Sequence, residues 1–226
     1  MFSKALLNLP LPLPVAERPP PLSSGLEILD GLLGGGLPRG QLMELSGDAS
    51  SGKSTRAFAA CLQALAQGSA AFWIEARSDG RFWPICALEA EISLERFFLL
   101  RVPDGPAALR GAHLLLTCAG ACALAVVELP RGFVPKPMQL VQLQRLAEKS
   151  GAVVLFLTEQ SRHGPSLGTM VSLRLHVRRL TSAPARAPLP ASQLAVEVLR
   201  HKGGPTQTFV EESLHGPNRL RLHSSL

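Results

Sequence analysis

The chain has 226 residues, 46% of them hydrophobic and 18% charged, and a formal net charge of +6. This length suits one sizeable α/β domain and is too short for two full ones unless one is small. No apolar run reaches the roughly 18 residues that a membrane-spanning helix needs. We therefore expect a soluble, cytoplasmic protein without membrane contact. The basic charge suits nucleic acid or another polyanion as a partner but does not require one.

The first 22 residues contain many prolines, which interrupt every leucine cluster. They therefore lack the apolar core and cleavage site of a signal peptide, and we expect a Pro-rich flexible lead-in. The cysteines lie in apolar stretches without the paired spacing of a zinc site, which predicts buried free thiols in a reducing compartment. They are Cys61, Cys86, Cys118 and Cys122.

Short apolar strands alternate with helical segments from residue 23 to residue 160. A helix at 23–33, with Ser24 as its cap, precedes a strand in QLMELSG (41–47), and a second helix follows at 53–68. Further strands are predicted at 70–76, 96–102, 122–129 and 152–160, with helices between them at 82–92, 105–120 and 137–151. This alternation predicts an α/β fold with a mainly parallel central sheet flanked by helices.

The last third has a different pattern. MVSLRLHVRRL (170–180) alternates apolar residues with Ser172, Arg174, His176 and Arg178. Further short strands are predicted in LAVEVLRHKG (194–203), TQTFVEE (206–212) and NRLRLHS (218–224). We expect an antiparallel C-terminal extension of the same sheet, a core at 23–213 and a tail at 214–226.

Residues 45–55 read LSGDASSGKST and complete the phosphate-loop pattern G-x-x-x-x-G-K-[ST]. Glycines let successive backbone amides turn inward around a phosphate, and the following helix brings its positive end to the same place. Because a strand and a helix flank the pattern, we favour a nucleoside triphosphate site over a coincidental Gly-Ser turn. The residues expected to bind the nucleotide are Gly47, Asp48, Ala49, Ser50, Ser51, Gly52, Lys53, Ser54 and Thr55, with the Ser54 hydroxyl also expected on Mg²⁺.

Hydrolysis needs a carboxylate near the metal and a group that orients the attacking water. Glu128 ends the strand LAVVE and is the candidate for the metal side, where aspartate is commoner. Glu75 in FWIEAR is the candidate for the water side. A strand-end acid facing solvent remains the alternative interpretation of each.

The stretch SSGLEILDGLLGGGLPRGQLMELSGDASSGKST (23–55) resembles the segment of bacterial RecA recombinases that contains their phosphate loop. Later segments follow in the same order: FWIEAR, VPDGPAAL, LAVVEL, FLTEQSR, LRLHVRRL and LRHKGGP. The resemblance covers residues 22–213 and implies a RecA-like P-loop NTPase core that binds ATP and Mg²⁺. Taken together with the two strand-end carboxylates, it gives Lys53, Glu75, Glu128 and Gln160 as the candidate catalytic set.

The same resemblance assigns three further roles. Asp104 would contact the adenosine, and Gln160 would couple the nucleotide state to the loop that follows it. Arg200 and Lys202 would contact the ATP of a neighbouring subunit or partner.

The departures from the RecA pattern are also informative. Arg77 stands where the water-activating glutamate is expected, so hydrolysis should be weak unless Glu75 substitutes. The Pro-rich start cannot form the element with which RecA docks onto its neighbour, the expected C-terminal domain has no counterpart, and the loop after Gln160 is short. The chain also has no tyrosine, which removes one usual stacking platform for bases.

A RecA-like core with these departures is similar to the ImuA family of mutagenesis accessory proteins. That resemblance implies a role in the DNA damage response and in translesion synthesis, with RecA, ImuB and an error-prone replicative-type polymerase as partners. Alternatives are a non-hydrolysing scaffold that binds ATP only for stability, a SulA-like regulator, and a clock-type or archaeal-type RecA regulator.

Direct contact with DNA is a further hypothesis. The candidates are exposed basic residues in the loop PRGFVPKPM (130–138), in the loop after Gln160 and along the strand 170–180. They are Arg131, Lys136, Arg162, Arg174 and Arg178. A proline-stiffened connection and a charged edge strand explain the same residues without DNA.

Overall fold

A computed structural model describes residues 19–76, 94–118, 122–180, 192–204, 206 and 208–213. The described helices are α1 (Glu27–Leu32), α2 (Lys53–Ala66), α3 (Gly105–Cys118) and α4 (Pro137–Ser150). The strands are β1 (Leu42–Ser46), β2 (Ala70–Glu75), β3 (Phe97–Arg101), β4 (Cys122–Glu128), β5 (Val153–Thr158), β6 (Val171–Leu180), β7 (Ser192–His201) and β8 (Thr208–Ser213). A short 3₁₀ turn at Leu94–Arg96 leads into β3.

The strands form one sheet in the order β3-β2-β4-β5-β1-β6-β7-β8. Strands β1 to β6 pair in parallel, whereas β6 with β7 and β7 with β8 pair antiparallel. The predicted fold class, including the antiparallel extension, is therefore confirmed. The predicted helix at 82–92, the possible strand at 218–224 and the segments 1–18 and 214–226 lie outside the described residues.

Helices cover both faces of the sheet. On one face, which we call the α2 face, α1 and α2 pack on alternate strand residues such as Met43, Trp73 and Val126. On the other, the α3–α4 face, α3 and α4 pack on the intervening residues such as Phe72 and Phe156. Continuous burial of β1, β2, β4 and β5 follows from this double cover, and it explains why their sequences are apolar runs.

Two local predictions were wrong. Helix α1 begins at Glu27 with Leu26 at its N-cap, and the Ser24 hydroxyl instead donates a hydrogen bond to Asp30 Oδ1 at 2.6 Å. Strand β6 is not an edge strand, because it lies between β1 and β7. Its polar residues Arg174 and His176 are accordingly buried rather than solvated.

Candidate nucleotide-binding site

The phosphate-loop sequence lies between the end of β1 at Ser46 and the start of α2 at Lys53. The Gly47 amide donates to the Thr158 carbonyl oxygen of β5 at 3.2 Å, and the Ser51 amide donates to the Asp48 carbonyl oxygen at 3.2 Å. The first bond ties the start of the loop to β5, and the second closes a turn within the loop. The first backbone amides of α2 have no acceptor within the helix. Beside the loop, they can therefore donate hydrogen bonds to a bound phosphate.

The loop glycines are required by packing as well as by conformation. A Cβ at Gly47 would overlap the Val177 carbonyl oxygen of β6, and one at Gly52 would lie 2.9 Å from the Leu194 side chain of β7. Gly52 also has φ +96°, and Ser50 has φ +63°, which is uncommon for a residue with a Cβ. The antiparallel extension therefore supports the outer wall of the phosphate loop.

Lys53 is 6% exposed, and its Nζ donates to the Asp48 carbonyl oxygen at 3.0 Å within the same loop. The side chains of Asp48, Ala49, Ser50, Ser54 and Thr55 are exposed around it. The loop amides and the Lys53 ammonium group suit the phosphates of a triphosphate. The exposed Ser54 hydroxyl suits Mg²⁺. The residues present thus fit the nucleotide that the sequence predicts.

Glu75 and Glu128 end neighbouring strands and are directly paired in the sheet register. Strand alternation places both on the α2 face, together with the helix that begins at Lys53. Glu128 is 8% exposed and lies two strands from β1, about 10 Å across the sheet. Two adjacent carboxylates repel each other unless a cation lies near them, which is the environment that a metal ion favours.

Glu75 already has one cation beside it. Its Oε2 accepts a hydrogen bond at 3.2 Å from Arg101 Nε on β3, and the Arg101 side chain is 55% exposed while that of Glu75 is fully buried. Sequence reasoning missed this pair, although register between parallel strands brings the two residues together. Arg77 lies outside the described residues.

The remaining nucleotide candidates are spread along the same edge of the sheet. Asp104 caps α3, since its Oδ1 accepts the Ala107 amide at 2.7 Å. It follows β3, four strands from β1 and about 19 Å across the sheet. Gln160 follows β5, and a Cβ at Gly164 would lie 2.8 Å from its Oε1. Gln160 lies two residues after Thr158, whose carbonyl oxygen accepts the Gly47 amide, so its backbone is near the phosphate loop, whereas Asp104 is distant from it.

Arg200 and Lys202 lie at the opposite end of the sheet. Strand β7 runs antiparallel to β6, and Lys202 donates its amide to the Ser172 carbonyl oxygen near the amino ends of β1 and β6. Arg200 donates to the Gly168 carbonyl oxygen at 3.2 Å. Lys202 lines a groove of about 820 Å³ with Arg39, Glu148 and His201. Neither basic residue is placed to contact a nucleotide in the phosphate loop of the same chain.

The candidate DNA-binding residues divide into exposed and buried ones. Arg131 and Lys136 are exposed on the loop after β4, and Arg178 is exposed near the end of β6. Arg162 follows β5 and forms a two-pronged ion pair with Glu197, with Nε donating at 2.6 Å. Because β4 and β5 are adjacent, the loops that follow them lie side by side.

Arg174 is the exception, and its predicted exposure was wrong. It is 5% exposed, and its Nε lies 3.6 Å from Oε2 of the fully buried Glu44. A neighbouring ring, His176, lies 3.2 Å from Ser46 Oγ through Nδ1. Burial lowers the pKa of His176, although the charge of Glu197 opposes this shift. Sequence reasoning also missed Glu44. A single acidic residue inside the apolar strand QLMELSG indicates a buried charge, which requires a buried partner.

The residues described contain no helix with the length and apolar character to cross a membrane. Cys61 and Cys122 are buried and free, as predicted, and burial raises the pKa of the Cys122 thiol to about 12. Cys86 lies outside the described residues. Both described thiols are therefore poor nucleophiles near neutral pH.

A family model for the RecA N-terminal domain matches residues 17–140, more than half of the chain. Among curated proteins, Protein RecA of Rhodospirillum rubrum is 26% identical, with 90% of this chain and 63% of the relative covered. Protein RecA of Sinorhizobium medicae is 28% identical, with 84% and 60% covered. The chain spans about three fifths of the length of these relatives.

A solved structure described as the crystal structure of the RadB recombinase matches with a TM-score of 0.66 and 23% sequence identity. The match covers 84% of this chain and 95% of that chain. This likeness establishes a common α/β architecture, and function has to be argued from the site itself.

Proposed function

This chain belongs to the RecA family, whose N-terminal domain it shares, and we propose that it is an ATP-binding accessory protein of the DNA damage response. We further propose that it is ImuA-like, hydrolyses ATP weakly and is modulated by DNA. RecA-like proteins are in general ATPases that bind ATP with Mg²⁺ and work with DNA.

One observation carries the nucleotide part of the proposal. The loop 47–52 is tied to β5 at Gly47 and closed by the backbone bond between Ser51 and Asp48. Lys53 and the carboxylates Glu75 and Glu128 are on the same face of the sheet. A loop that is already shaped loses little conformational entropy when it binds a ligand. This arrangement favours a bound triphosphate over a chance turn.

Each residue of the site then has a proposed role. The loop amides and Lys53 hold the phosphates, while Ser54 and Glu128 hold Mg²⁺ directly or through water. Bound ATP with Mg²⁺ supplies the scissile bond and the positive charge that offsets charge developing in the transition state. Glu75 orients the attacking water, and its hydrogen bond to Arg101 commits one of its two oxygens elsewhere. Because the Glu75 carboxylate also binds Arg101, we expect turnover to be slow.

Calorimetry and steady-state ATPase assays test these roles. We expect wild-type protein to bind Mg-ATP, and Lys53→Ala to weaken binding about tenfold or more because a buried ammonium is lost. Glu75→Gln should keep ATP affinity and lower turnover, whereas Glu128→Gln should raise the Mg²⁺ concentration required. Glu27→Gln, an exposed acid in α1, is the matched control. Wild-type protein that ignores Mg-ATP contradicts the proposal.

The two adjacent loops after β4 and β5 support a DNA-facing edge. The first carries exposed Arg131 and Lys136 beside the exposed apolar residues Val134 and Met138. Exposed cationic groups suit a flexible single strand, since they can contact its phosphates. We therefore place the DNA contact at this edge, next to Gln160.

The salt dependence of single-stranded DNA binding tests that placement. Removing two phosphate contacts should reduce the slope of log affinity against log salt by about 1.4, since each contact contributes about 0.7 for single strands. The variant is Arg131→Gln with Lys136→Gln, and Arg145→Gln on the exposed side of α4 is the control. An unchanged slope in the double variant would remove these residues from the proposal.

The partner proposal concerns the other end of the sheet. Arg200 and Lys202 are remote from the chain's own phosphate loop, so a nucleotide that they contact belongs to another molecule. We propose RecA as that molecule, with ImuB and an error-prone replicative-type polymerase as further partners in translesion synthesis. A surface of this kind would let the chain join one side of a heterologous contact between RecA subunits. Pull-down assays with purified RecA, ImuB and polymerase test this, and binding to none of them would refute it.

A scaffold that binds ATP without hydrolysing it is the second candidate. The Arg101 contact with Glu75 favours it, since it engages the carboxylate that would orient water. ATP would then only add stability to the native state. Turnover equal to that of Lys53→Ala, with and without DNA, would select the scaffold.

A further inference from the structure

A buried polar network connects β1 to the loop at residues 161–168, which we call the β5–β6 loop. Its centre is Glu44 in the third position of β1, which is 0% exposed. Glu44 Oε1 accepts from Thr158 Oγ1 at 2.9 Å, and Oε2 accepts from Ser166 Oγ at 3.0 Å and from the Leu167 amide at 3.1 Å. One carboxylate therefore joins β1, the end of β5 and the far end of the β5–β6 loop.

Arg174 on β6 completes this network from the other side. Its Nε is 3.6 Å from Glu44 Oε2, and its two terminal nitrogens donate to the Gly164 carbonyl oxygen at 2.6 Å and the Ser161 carbonyl oxygen at 3.2 Å. The guanidinium thus holds the near end of the loop, which also turns on a bond from the Gly164 amide to the Ser161 carbonyl oxygen at 3.1 Å. Both ends of the loop are fixed to two oppositely charged, buried side chains.

The network also reaches the phosphate loop. Thr158, whose hydroxyl binds Glu44, accepts the Gly47 amide with its carbonyl oxygen. The path from Gly47 to the β5–β6 loop therefore consists of Thr158, Glu44 and Arg174, all in direct contact.

Net stability is a poor explanation for this arrangement. A buried ion pair adds little to stability compared with an apolar pair of similar volume, because desolvation cancels most of the attraction. Such pairs instead favour one geometry, since any other leaves a buried charge without a partner. The geometry fixed here is that of the loop next to Gln160.

We propose that Glu44 and Arg174 are positioning residues that couple the conformation of the β5–β6 loop to occupancy of the phosphate loop. The coupling rests on the proposed nucleotide binding, but the positioning of the loop does not. In the protein without nucleotide, the ion pair holds the loop in one conformation. Nucleotide contacts at Gly47 then alter the loop through Thr158 and Glu44.

Hydrogen–deuterium exchange of the full chain, with and without Mg-ATPγS, tests both parts. The variants are Glu44→Gln, Arg174→Met and the double variant, with Glu27→Gln and Arg145→Met as matched exposed controls. In each single variant, we expect amides of the β5–β6 loop to exchange about tenfold faster or more without nucleotide. Glu44→Gln weakens the acceptor of the Leu167 amide, and Arg174→Met removes the donor that holds two carbonyl oxygens of the loop. Calorimetric affinity for Mg-ATPγS should change less than about threefold, since no phosphate contact is removed.

Nucleotide should change loop exchange in wild-type protein and in both controls, and not in the variants. If a single variant does not fold, the double variant supplies the comparison, because it leaves no buried charge unpaired. Unchanged loop exchange in folded variants overturns the positioning role, as does an equal increase throughout the sheet. A wild-type loop that does not respond to bound nucleotide overturns the coupling. Failure to bind nucleotide at all instead refutes the proposed function, while loop exchange without nucleotide still tests the positioning.

Discussion

Glu44 and Glu75 are both fully buried at strand positions, yet their surroundings differ. Glu44 lies at the junction of β1, β5 and β6, where its cation, Arg174, is itself buried and bonded to backbone carbonyl oxygens. Glu75 lies at the rim formed by β2 and β3, where its cation, Arg101, is more than half exposed. Both carboxylates are buried, so the difference lies in their cations. Buried Arg174 holds Glu44 in one structural arrangement, whereas exposed Arg101 can move into solvent and let Glu75 change its contacts during catalysis.

Removing each carboxylate gives the largest expected difference between the two regions. Glu44→Ala strands the buried Arg174 guanidinium, and we expect the free energy of unfolding to fall by about 3–5 kcal/mol. Glu75→Ala leaves a guanidinium that water can solvate, so we expect a smaller loss, about 1–2 kcal/mol. Urea unfolding followed by circular dichroism measures both. Equal losses would mean that partner exposure does not separate the two sites.

Gly47→Ala probes the junction from the phosphate loop. The added methyl group would overlap the Val177 carbonyl oxygen and Ser51 Oγ, and backbone atoms cannot move aside easily. We expect a loss of about 1–3 kcal/mol from overpacking, together with loss of nucleotide binding. Gly31→Ala in α1, which meets nothing within 4 Å, should be neutral or slightly stabilising. A Gly47→Ala protein as stable as wild type would contradict the close packing against β6.

The smallest expected effect concerns pH at the junction. His176 faces Glu197, Arg174, Asp48 and Arg162, and its folded-state pKa is lowered from 6.5 mainly by burial. Below about pH 6.5 the unfolded chain therefore binds more protons than the folded chain, so the free energy of unfolding should decrease as pH falls. The lowered pKa of Glu197 acts in a separate window below 4.5. His176→Asn should flatten the decrease below about pH 6.5 in urea titrations, and an unchanged slope would assign it to other groups.

Most of the sheet could be predicted because its signals are local. Apolar runs marked the buried parallel strands, and the change to strict alternation marked the antiparallel extension. Ser24 was misjudged because a cap depends on where the chain turns, and Asp30 competes for its hydroxyl six residues later. Such competition between side chains cannot be read from a cap preference alone.

The candidate site was only partly predictable. Phosphate-loop spacing is contiguous in sequence, so Lys53 and its neighbours could be named, and the alternative of a Gly-Ser turn could be weighed. Arg174 was assigned to solvent because alternation shows that two faces differ but not what covers each of them. The cover of its face is the β5–β6 loop and Glu44, which is 130 residues earlier in the chain. The Arg101–Glu75 pair depends on strand register, which is also non-local.

The pairing of β1 has a consequence for synthesis of the chain. Its neighbours in the sheet are β5 and β6. Residues 42–46 therefore cannot pair in the sheet until residues 153–158 and 171–180 have been synthesised. At about 5–20 residues per second, a ribosome needs several seconds to supply them, and until then an apolar strand has neither neighbour. The segment that precedes the phosphate loop is therefore accessible to chaperones for several seconds of synthesis.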